Sequence, residues 1–252
     1  MGDNYIICIP TYNRVEMLGT KTLRFLNDCG ISRNKIFIYV VEEEFELYKT
    51  KYNDTIGEQY NIIIGLKGKL EQTNFILEDK KNCNIVFIDD DVDYLLDKDG
   101  VVLEIDDLIK KGFIECKKNN TKLWGIHPCD NTYFLKDNIS TTIKFIVGCF
   151  YGLINDNLLT DKMTWIHSQG DDLARSLHFY DIYKKVIRFN NIGIKTKYNT
   201  NKGGFQSIYS KEQRKIEQET RCKELELLYP KYCKTYYRKD GSCNLRFHLY
   251  KN

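Results

Sequence analysis

Proline, long apolar runs and an excess of one charge are scarce or absent in this sequence. Its 252 residues include three prolines, and no apolar run approaches the ~20 residues that a membrane-spanning helix needs. The first residues lack the basic, apolar and small-residue sections of a signal peptide. Lys and Arg number 38 against 35 Asp and Glu, and a net charge of +3 does not indicate a nucleic-acid binder. We therefore predict a soluble, cytoplasmic protein without membrane insertion.

Recognisable disulfide or zinc motifs are also absent. The nine cysteines are scattered, and none forms a Cys-x-x-Cys pair. Cys222, Cys233, Cys243 and His248 could supply four zinc ligands, but their spacing matches no compact zinc module. We interpret the cysteines as buried thiols of a protein in a reducing compartment.

The two common phosphate-binding loops are missing as well. No Gly-x-Gly-x-x-Gly follows the first apolar run, and no glycine-rich loop ends in Gly-Lys-Ser/Thr. Dehydrogenases and P-loop kinases are therefore disfavoured. A nucleotide diphosphate bound here would need a metal, rather than backbone amides at a helix start, to neutralise it.

What is present is an alternation of apolar runs and helical patterns over the first ninety residues. The predicted strands cover residues 5–9, 36–41, 60–64 and 85–88, and the predicted helices cover 15–27, a segment around 45–52, and 66–80. Such an alternation predicts a parallel sheet with helices on both faces.

Each predicted strand ends in polar residues. These are Pro10-Thr11-Tyr12-Asn13-Arg14, Glu42-Glu43-Glu44, Gly65-Leu66-Lys67-Gly68 and Asp89-Asp90-Asp91-Val92-Asp93. Ligands of open α/β sheets bind beyond the carboxyl ends of the strands, so all four segments should converge on one site. The four aspartates are the chemical centre, because clustered carboxylates are unfavourable without a cation. Mg²⁺ or Mn²⁺ would suit their oxygen ligands.

The second half carries fewer signals. We predict a helix at 106–117 and strands at 123–126, 186–189 and 192–196. In the apolar run 141–151, Gly148 and the following Gly152 indicate a bend or a close backbone approach by a ligand. Asp171 and Asp172 precede a helix from 173, where one of them could be just an N-cap. Ser210 and Gln213 form a capping box for a helix to about 228, and the tail from 235 should close a small lobe.

These residues resemble a known group. Ile9-Pro10-Thr11-Tyr12-Asn13-Arg14 together with Phe87-Ile88-Asp89-Asp90-Asp91 resembles the GT-A glycosyltransferases, which use nucleotide sugars and a divalent metal. More specifically, the chain resembles a small viral and phage branch associated with TET/JBP-type DNA base oxygenases, which includes transferases that build chlorovirus capsid glycans. The resemblance extends from Tyr5 to about Gly204. It implies a Rossmann-like, mostly parallel α/β sheet flanked by helices, with a smaller acceptor-side lobe.

The resemblance also implies a division of the chain. Residues 1–252 would form one catalytic domain with a nucleotide-sugar-binding half (1–95), an acceptor and catalytic half (96–205), and a C-terminal helix and tail (206–252). A virus-encoded protein of this kind would act in the host cytoplasm.

Site residues follow from the same resemblance, position by position. Donor-binding residues would be Pro10, Tyr12, Arg14, Glu42, Gly68, Gln72, Asn74, Asp89, Asp90, Gly203 and Gly204. Asp91, with Asp89, would bind Mn²⁺ or Mg²⁺. Asp172 would be the general base of an inverting reaction, with Asp171 as the acidic residue before it. The C-terminal metal-binding histidine of many GT-A enzymes has no counterpart among His167 and His248.

The implied activity is transfer of a hexose or pentose from a UDP- or GDP-type sugar to a hydroxyl acceptor. A glycan is the favoured acceptor and a hydroxymethylated or otherwise modified DNA base the alternative. Lys195, Lys197, Lys202, Lys211, Arg214 and Lys215 could supply contacts to DNA phosphates. A nucleotidyltransferase and a non-catalytic nucleotide- or sugar-binding module are the competing classes.

Overall fold

The structure is a computed structural model that describes residues 4–53, 57–156, 170–196, 204 and 210–249. Its strands are β1 (Ile6–Pro10), β2 (Ile36–Val40), β3 (Asn61–Ile64), β4 (Cys83–Ile88), β5 (Val92–Leu96), β6 (Leu123–Ile126), β7 (Ile139–Ser140), β8 (Phe150–Asn155), β9 (Ile187–Phe189), β10 (Gly193–Thr196), β11 (Cys233–Tyr237) and β12 (Cys243–Phe247). Its helices are α1 (Val15–Leu18), α2 (Arg24–Asp28), α3 (Phe45–Asn53), α4 (Lys69–Asp79), α5 (Ile105–Lys118), α6 (Asp171–Tyr183) and α7 (Lys211–Leu228). A π-helical turn (Gly19–Leu23) joins α1 to α2.

Eight of the described strands form one sheet in the order β3-β2-β1-β4-β8-β6-β9-β7. The first four are parallel, as their alternation with helices predicts, and β6 is parallel to β9. Strand β8 lies antiparallel between β4 and β6, and β7 is antiparallel to β9. The four predicted strands of the first half are thereby confirmed as one parallel group, whose carboxyl ends share an edge.

Two features of the sheet region differ from the sequence prediction. Helix α4 begins at Lys69 rather than at 66, because Gly68 has a φ of +110° that a helix cannot continue through. Strand β10, predicted at 192–196, leaves the large sheet and pairs antiparallel with β5, a strand that the sequence did not reveal. Strand β5 follows directly on the aspartate segment, and its pairing brings Thr196 of β10 to Asp91.

Among the described residues, Trp124 of β6 is the largest fully buried side chain. It packs edge-to-face against Phe113, Phe150 and Phe189. A Cβ at Gly152 of β8 would overlap the Trp124 indole. Gly152 therefore makes room for a core side chain and not for a ligand, which corrects one of the two alternatives drawn from the sequence.

Replacing Gly152 with Ala should destabilise the protein. The added methyl group meets a rigid indole in a filled core, and overpacking of this kind costs about 1–3 kcal/mol. Urea unfolding measures the change in the free energy of unfolding. Gly148→Ala is the control, because its Cβ would meet neighbouring atoms at ordinary distances of 3.4–3.6 Å. Equal unfolding midpoints for the two variants would contradict this account of the core.

The C-terminal residues pack on the α6 side of the sheet. Ser210 caps α7 through the predicted capping box with Gln213, and the tail forms a hairpin, β11–β12. Cys222, Cys233 and Cys243 are buried in one core cluster with Leu177 of α6. Burial raises the pKa of Cys222 to about 12, so this thiol stays protonated. No described helix is long and apolar enough to span a membrane.

Candidate functional site

A cavity of about 1070 Å³ opens at the carboxyl ends of β1 and β4. Its floor carries Thr11, Arg14 and the three aspartates that follow β4, and one wall is the start of α4. The opposite wall is formed by residues 145–149, the start of α6, α7 and the β11–β12 hairpin. Three of the four segments predicted to converge, those after β1, β3 and β4, line one space, and the start of α6 faces them. The glutamates after β2 do not line it.

An ionic network fixes the segment after β1 against the aspartates. The guanidinium of Arg14 donates to Asp90 Oδ1 at 2.7 Å and to Asp91 Oδ2 at 3.2 Å. The Thr11 hydroxyl donates to Asp90 Oδ2 at 2.7 Å and lies 3.2 Å from the Tyr48 hydroxyl. Both Asp90 oxygens are therefore engaged within the protein. Asp90 shapes the floor and is poorly placed to bind a ligand directly.

The aspartate turn is held open by a threonine in the π-helical turn. The Thr22 hydroxyl donates to the carbonyl oxygen of Asp89 at 2.7 Å and accepts the backbone N–H of Val92 at 3.0 Å. Thr196 of β10 donates to Asp91 Oδ1 at 3.0 Å. π-helical turns are frequent at functional sites. Here the π turn places the Thr22 hydroxyl in contact with both ends of the aspartate turn.

Asp89 is the least satisfied carboxylate of the three. Among the described residues, no hydrogen-bond donor contacts its carboxylate, and burial raises the pKa of Asp89 to about 7. Burial raises the pKa of Asp90 to about 6. Carboxylates in such a cluster favour a cation that neutralises them.

The residues present fit a hard divalent ion. Asp89 and Asp91 line the cavity, and carboxylate oxygen is the ligand type that Mg²⁺ and Mn²⁺ prefer. Arg14 and Thr196 contact the two oxygens of Asp91, so Asp89 is the carboxylate that no described side chain occupies. Within the described part of the chain, no group of three or more His, Cys, Asp or Glu side chains converges as a complete metal site. One or two carboxylates completed by substrate phosphates is the usual arrangement for Mg²⁺, and this donor set matches it.

Asp171 and Asp172 open α6 on the other side of the cavity and have different surroundings. Asp171 Oδ1 lies 2.9 Å from Lys69 Nζ and Oδ2 lies 3.3 Å from Arg175 Nη1. These two cations outweigh the effect of burial and hold the pKa of Asp171 below its ordinary value. Asp172 Oδ1 accepts the N–H of Leu173 at 2.9 Å, whereas Oδ2 accepts no hydrogen bond from the described residues.

Protonation behaviour separates the two aspartates further. Burial and the neighbouring Asp171 raise the pKa of Asp172. A carboxylate with a raised pKa and a free oxygen facing a cavity is suited to accept a proton. Asp171 instead lies between two cations, so the two neighbouring carboxylates differ in both contacts and protonation.

The other predicted site residues are only partly brought together. Pro10, Tyr12, Gly68, Gln72 and Gly204 line the cavity. The buried Gln72 accepts the backbone N–H of Leu66 and so shapes the β3–α4 loop. Glu42 is exposed, Asn74 is half-buried, and neither lines the cavity. Gly203 lies outside the described residues.

Three residues with clear places in or beside the site were missed from the sequence. Glu44, not Glu42, is buried, and it accepts the backbone N–H of Asn13 at 2.9 Å. Lys69 pairs with Asp171 across the cavity, and the buried Arg175 lies beneath the same aspartate. The i,i+4 spacing of Asp171 and Arg175 was a signal for the second contact. No local pattern marks Lys69.

Comparison with known proteins establishes the fold. No protein-family model matches the chain, and no curated protein matches its sequence. Its structure is similar to the crystal structure of residues 1–349 of S. aureus TarS in complex with UDP-GlcNAc, with a TM-score of 0.57 and 13% identity. The likeness covers 88% of this chain and 66% of the TarS chain, so this chain spans just under two thirds of that fragment.

Weaker likenesses carry no weight for the fold. They include the UDP complex of the same TarS fragment (TM-score 0.49, 12% identity, 76% of this chain and 59% of that one). Another is 4-diphosphocytidyl-2C-methyl-D-erythritol synthase from Anaerococcus prevotii, with a TM-score of 0.46 and 13% identity. That likeness covers 84% of this chain and 93% of the synthase chain. The fold itself is GT-A-like: a mixed α/β architecture with a large, mostly parallel sheet flanked by helices.

Proposed function

We propose that this protein is a metal-dependent glycosyltransferase that moves a sugar from a UDP- or GDP-type nucleotide diphosphate to a hydroxyl acceptor. One observation carries the proposal. One cavity places Asp89 on one side and Asp172 on the other, and no described residue donates to the Asp89 carboxylate or to Asp172 Oδ2. A donor-binding group and a proton acceptor that face each other are what a one-step transfer needs.

The donor half would bind the nucleotide diphosphate. Asp91 and Asp89 would hold Mn²⁺ or Mg²⁺, and the bound ion would stabilise the negative charge of the departing diphosphate. Pro10, Tyr12 and Gly68 would contact the nucleoside. Arg14 orders Asp91 by its 3.2 Å ion pair and so keeps this carboxylate aimed at the cavity.

The acceptor half would supply the base. Asp172 Oδ2 takes the proton of the acceptor hydroxyl while the hydroxyl oxygen attacks the anomeric carbon. The bond from that carbon to the diphosphate oxygen breaks in the same step, with inversion. Proton removal by a placed base contributes about 10²–10⁴-fold in rate.

The acceptor would approach from the wall made by α7 and the β11–β12 hairpin. Arg214 and Lys215 line this wall, whereas Lys195 is paired with Asp130 and does not line the cavity. Lys197, Lys202 and the Lys211 side chain lie outside the described part. We retain a glycan hydroxyl as the proposed acceptor and modified DNA as the alternative. The narrower resemblance to the viral and phage branch stays a prediction from sequence motifs.

A panel of UDP- and GDP-sugars with Mn²⁺, tested with sugar acceptors and hydroxymethylated duplex, examines this proposal directly. We expect one donor to release its nucleoside diphosphate and to label a sugar acceptor. Labelling of the duplex would show that modified DNA is the acceptor instead. That labelling should depend steeply on salt and should be abolished by charge reversal at Lys211, Arg214 and Lys215. Pyrophosphate release from a nucleoside triphosphate and a sugar phosphate would show a nucleotidyltransferase. Donor binding with no turnover would leave only a binding module.

A further inference from the structure

We propose that Lys69 is a positioning residue: with Arg175 it holds Asp171 as a fixed anion, which leaves Asp172 as the single proton acceptor. The inference rests on the proposed function and adds two residues to it. It starts from the observation that two adjacent carboxylates in one cavity wall have opposite surroundings. Two interacting carboxylates titrate as a pair, and cations bound to one of them separate the protonation of the two groups.

Asp171 is saturated by cations from two directions. Lys69, the first residue of α4, reaches across the cavity so that its Nζ lies 2.9 Å from Asp171 Oδ1. Arg175, one helical turn after Asp171, occupies Oδ2 from below. Because each oxygen of Asp171 has its own cation, this carboxylate cannot rotate toward the cavity without losing one of them.

Arg175 is itself held in place by aromatic packing. Its side chain is 2% exposed, and its guanidinium carbon lies 3.7 Å from the centre of the Tyr151 ring. The Tyr151 ring stacks on Phe87 of β4, with centroids 4.9 Å apart. Packing against Tyr151 and Phe87 therefore fixes Arg175 relative to β4, the strand that precedes the aspartate turn. Arg175 in turn fixes Asp171.

Arg175 also borders Asp172. Its Nη2 and Nε are buried and have no hydrogen-bond acceptor among the described residues. A Cβ placed on Gly148 would lie 3.6 Å from both Arg175 Nη2 and Asp172 Oδ2, so the two atoms flank the same point of the cavity wall. An unpaired guanidinium edge beside a carboxylate attracts it. Without Lys69, Asp171 would move, and Arg175 would be able to pair with Asp172 as well. The proton-accepting oxygen of Asp172 would then turn toward Arg175 and away from the acceptor.

Lys69 therefore links the two halves of the site through one ion pair. It lies on the helix that follows the donor-side loop, and its partner begins the helix that carries the base. The titratable and charged groups that face Asp172 are Asp171, Lys69 and Arg175, with Asp89 and Tyr151 in the next layer.

Steady-state kinetics of Lys69→Met and Lys69→Arg test the inference. We expect Lys69→Met to lower kcat by about 10²-fold, as for a misplaced catalytic group, and to leave the donor KM nearly unchanged. Lys69→Arg should restore most of the loss, because Arg keeps the charge. Lys51→Met is the matched control: Lys51 makes an ion pair of similar length, 2.8 Å to Glu16, on an exposed surface outside the cavity. An increase in donor KM with unchanged kcat would overturn the inference and make Lys69 a donor ligand.

A double-variant cycle adds a second criterion. If Lys69 acts only through Asp171, adding Asp171→Asn to Lys69→Met should cause little further loss of kcat. Multiplied losses would mean that the two residues act independently, contrary to the inference.

A third measurement needs no turnover and so separates this inference from the proposed function. Carboxylate NMR titration should show Asp171 ionising at lower pH than Asp172. Loss of a neighbouring cation in Lys69→Met should move the Asp171 midpoint upward, while Lys51→Met should not. An unmoved midpoint in Lys69→Met would refute the role of Lys69. Absence of turnover in the unchanged protein would instead refute the proposed function alone.

Discussion

Replacing Asp172 with Asn should lower turnover by about 10²-fold or more, with little change in donor affinity. The amide cannot accept the proton of the acceptor hydroxyl, yet it keeps the shape of the side chain and the contact of Oδ1 with the N–H of Leu173. Single-turnover kinetics with the donor identified by the panel measure the step, and nucleotide titration measures the affinity. Turnover that depends on ionised Asp172 should also decrease as the pH is lowered. Because the pKa of Asp172 is raised, this decrease should begin at a pH above the ordinary range for aspartate. That acid limb should disappear in Asp172→Asn.

Asp181→Asn is the matched control for this result. Asp181 lies near the end of the same helix, is half-exposed in an ion pair with Lys184, and does not line the cavity. Its replacement should leave turnover near that of the unchanged protein. Near-normal turnover in Asp172→Asn together with an inactive Asp171→Asn would mean that the roles of the two aspartates are reversed.

Removal of divalent metal should stop donor turnover, and Asp91→Asn should do the same without unfolding the protein. Three aspartates close one strand. Within the described residues, side-chain donors occupy both oxygens of Asp90 and of Asp91, whereas the carboxylate of Asp89 accepts no hydrogen bond. A metal contributes several kcal/mol of charge stabilisation to the departing diphosphate, which corresponds to about 10²-fold or more in rate. Turnover is measured in EDTA and again after Mn²⁺ is added back, which gives its dependence on divalent metal. Thermal unfolding checks that Asp91→Asn keeps its fold.

Asp93→Asn controls for a general effect of charge. Asp93 belongs to the same acidic segment but is paired with Lys21 at 3.0 Å and does not line the cavity. We expect it to retain metal-dependent turnover. Full activity in EDTA, with metal removal verified by elemental analysis, would end the metal proposal.

The location of the site could be predicted from sequence because it depends on local order along the chain. Buried apolar strands that alternate with helices must run parallel, and parallel strands place their carboxyl ends at one edge. The segment after β1 and the aspartates after β4 therefore had to meet, and the 2.7 Å contact of Arg14 with Asp90 shows that they do. The capping box at Ser210 is predictable for the same reason, since both partners lie within one turn.

Contacts between segments that are distant in the chain could not be predicted from local order in this way. The resemblance placed Glu42 at the site, but the three consecutive glutamates are alike in sequence. Only the contact with the backbone N–H of Asn13 decides that Glu44 is the buried one. The sequence pattern at Gly152 allows ligand approach as well as a bend, and only the tertiary structure places the Trp124 side chain in the space beside it.

The sequence by itself determined the parallel strands, the edge at which the polar segments gather, and the acidic pair at the start of α6, because strand periodicity and helix capping are local properties. The tertiary structure alone decided that Lys69 reaches Asp171 from 102 positions away in the chain and that Arg175 sits under the same carboxylate. It thereby made two adjacent aspartates inequivalent. An ion pair across a cavity depends on where two helices are placed by the sheet between them, and no spacing within either helix encodes that placement.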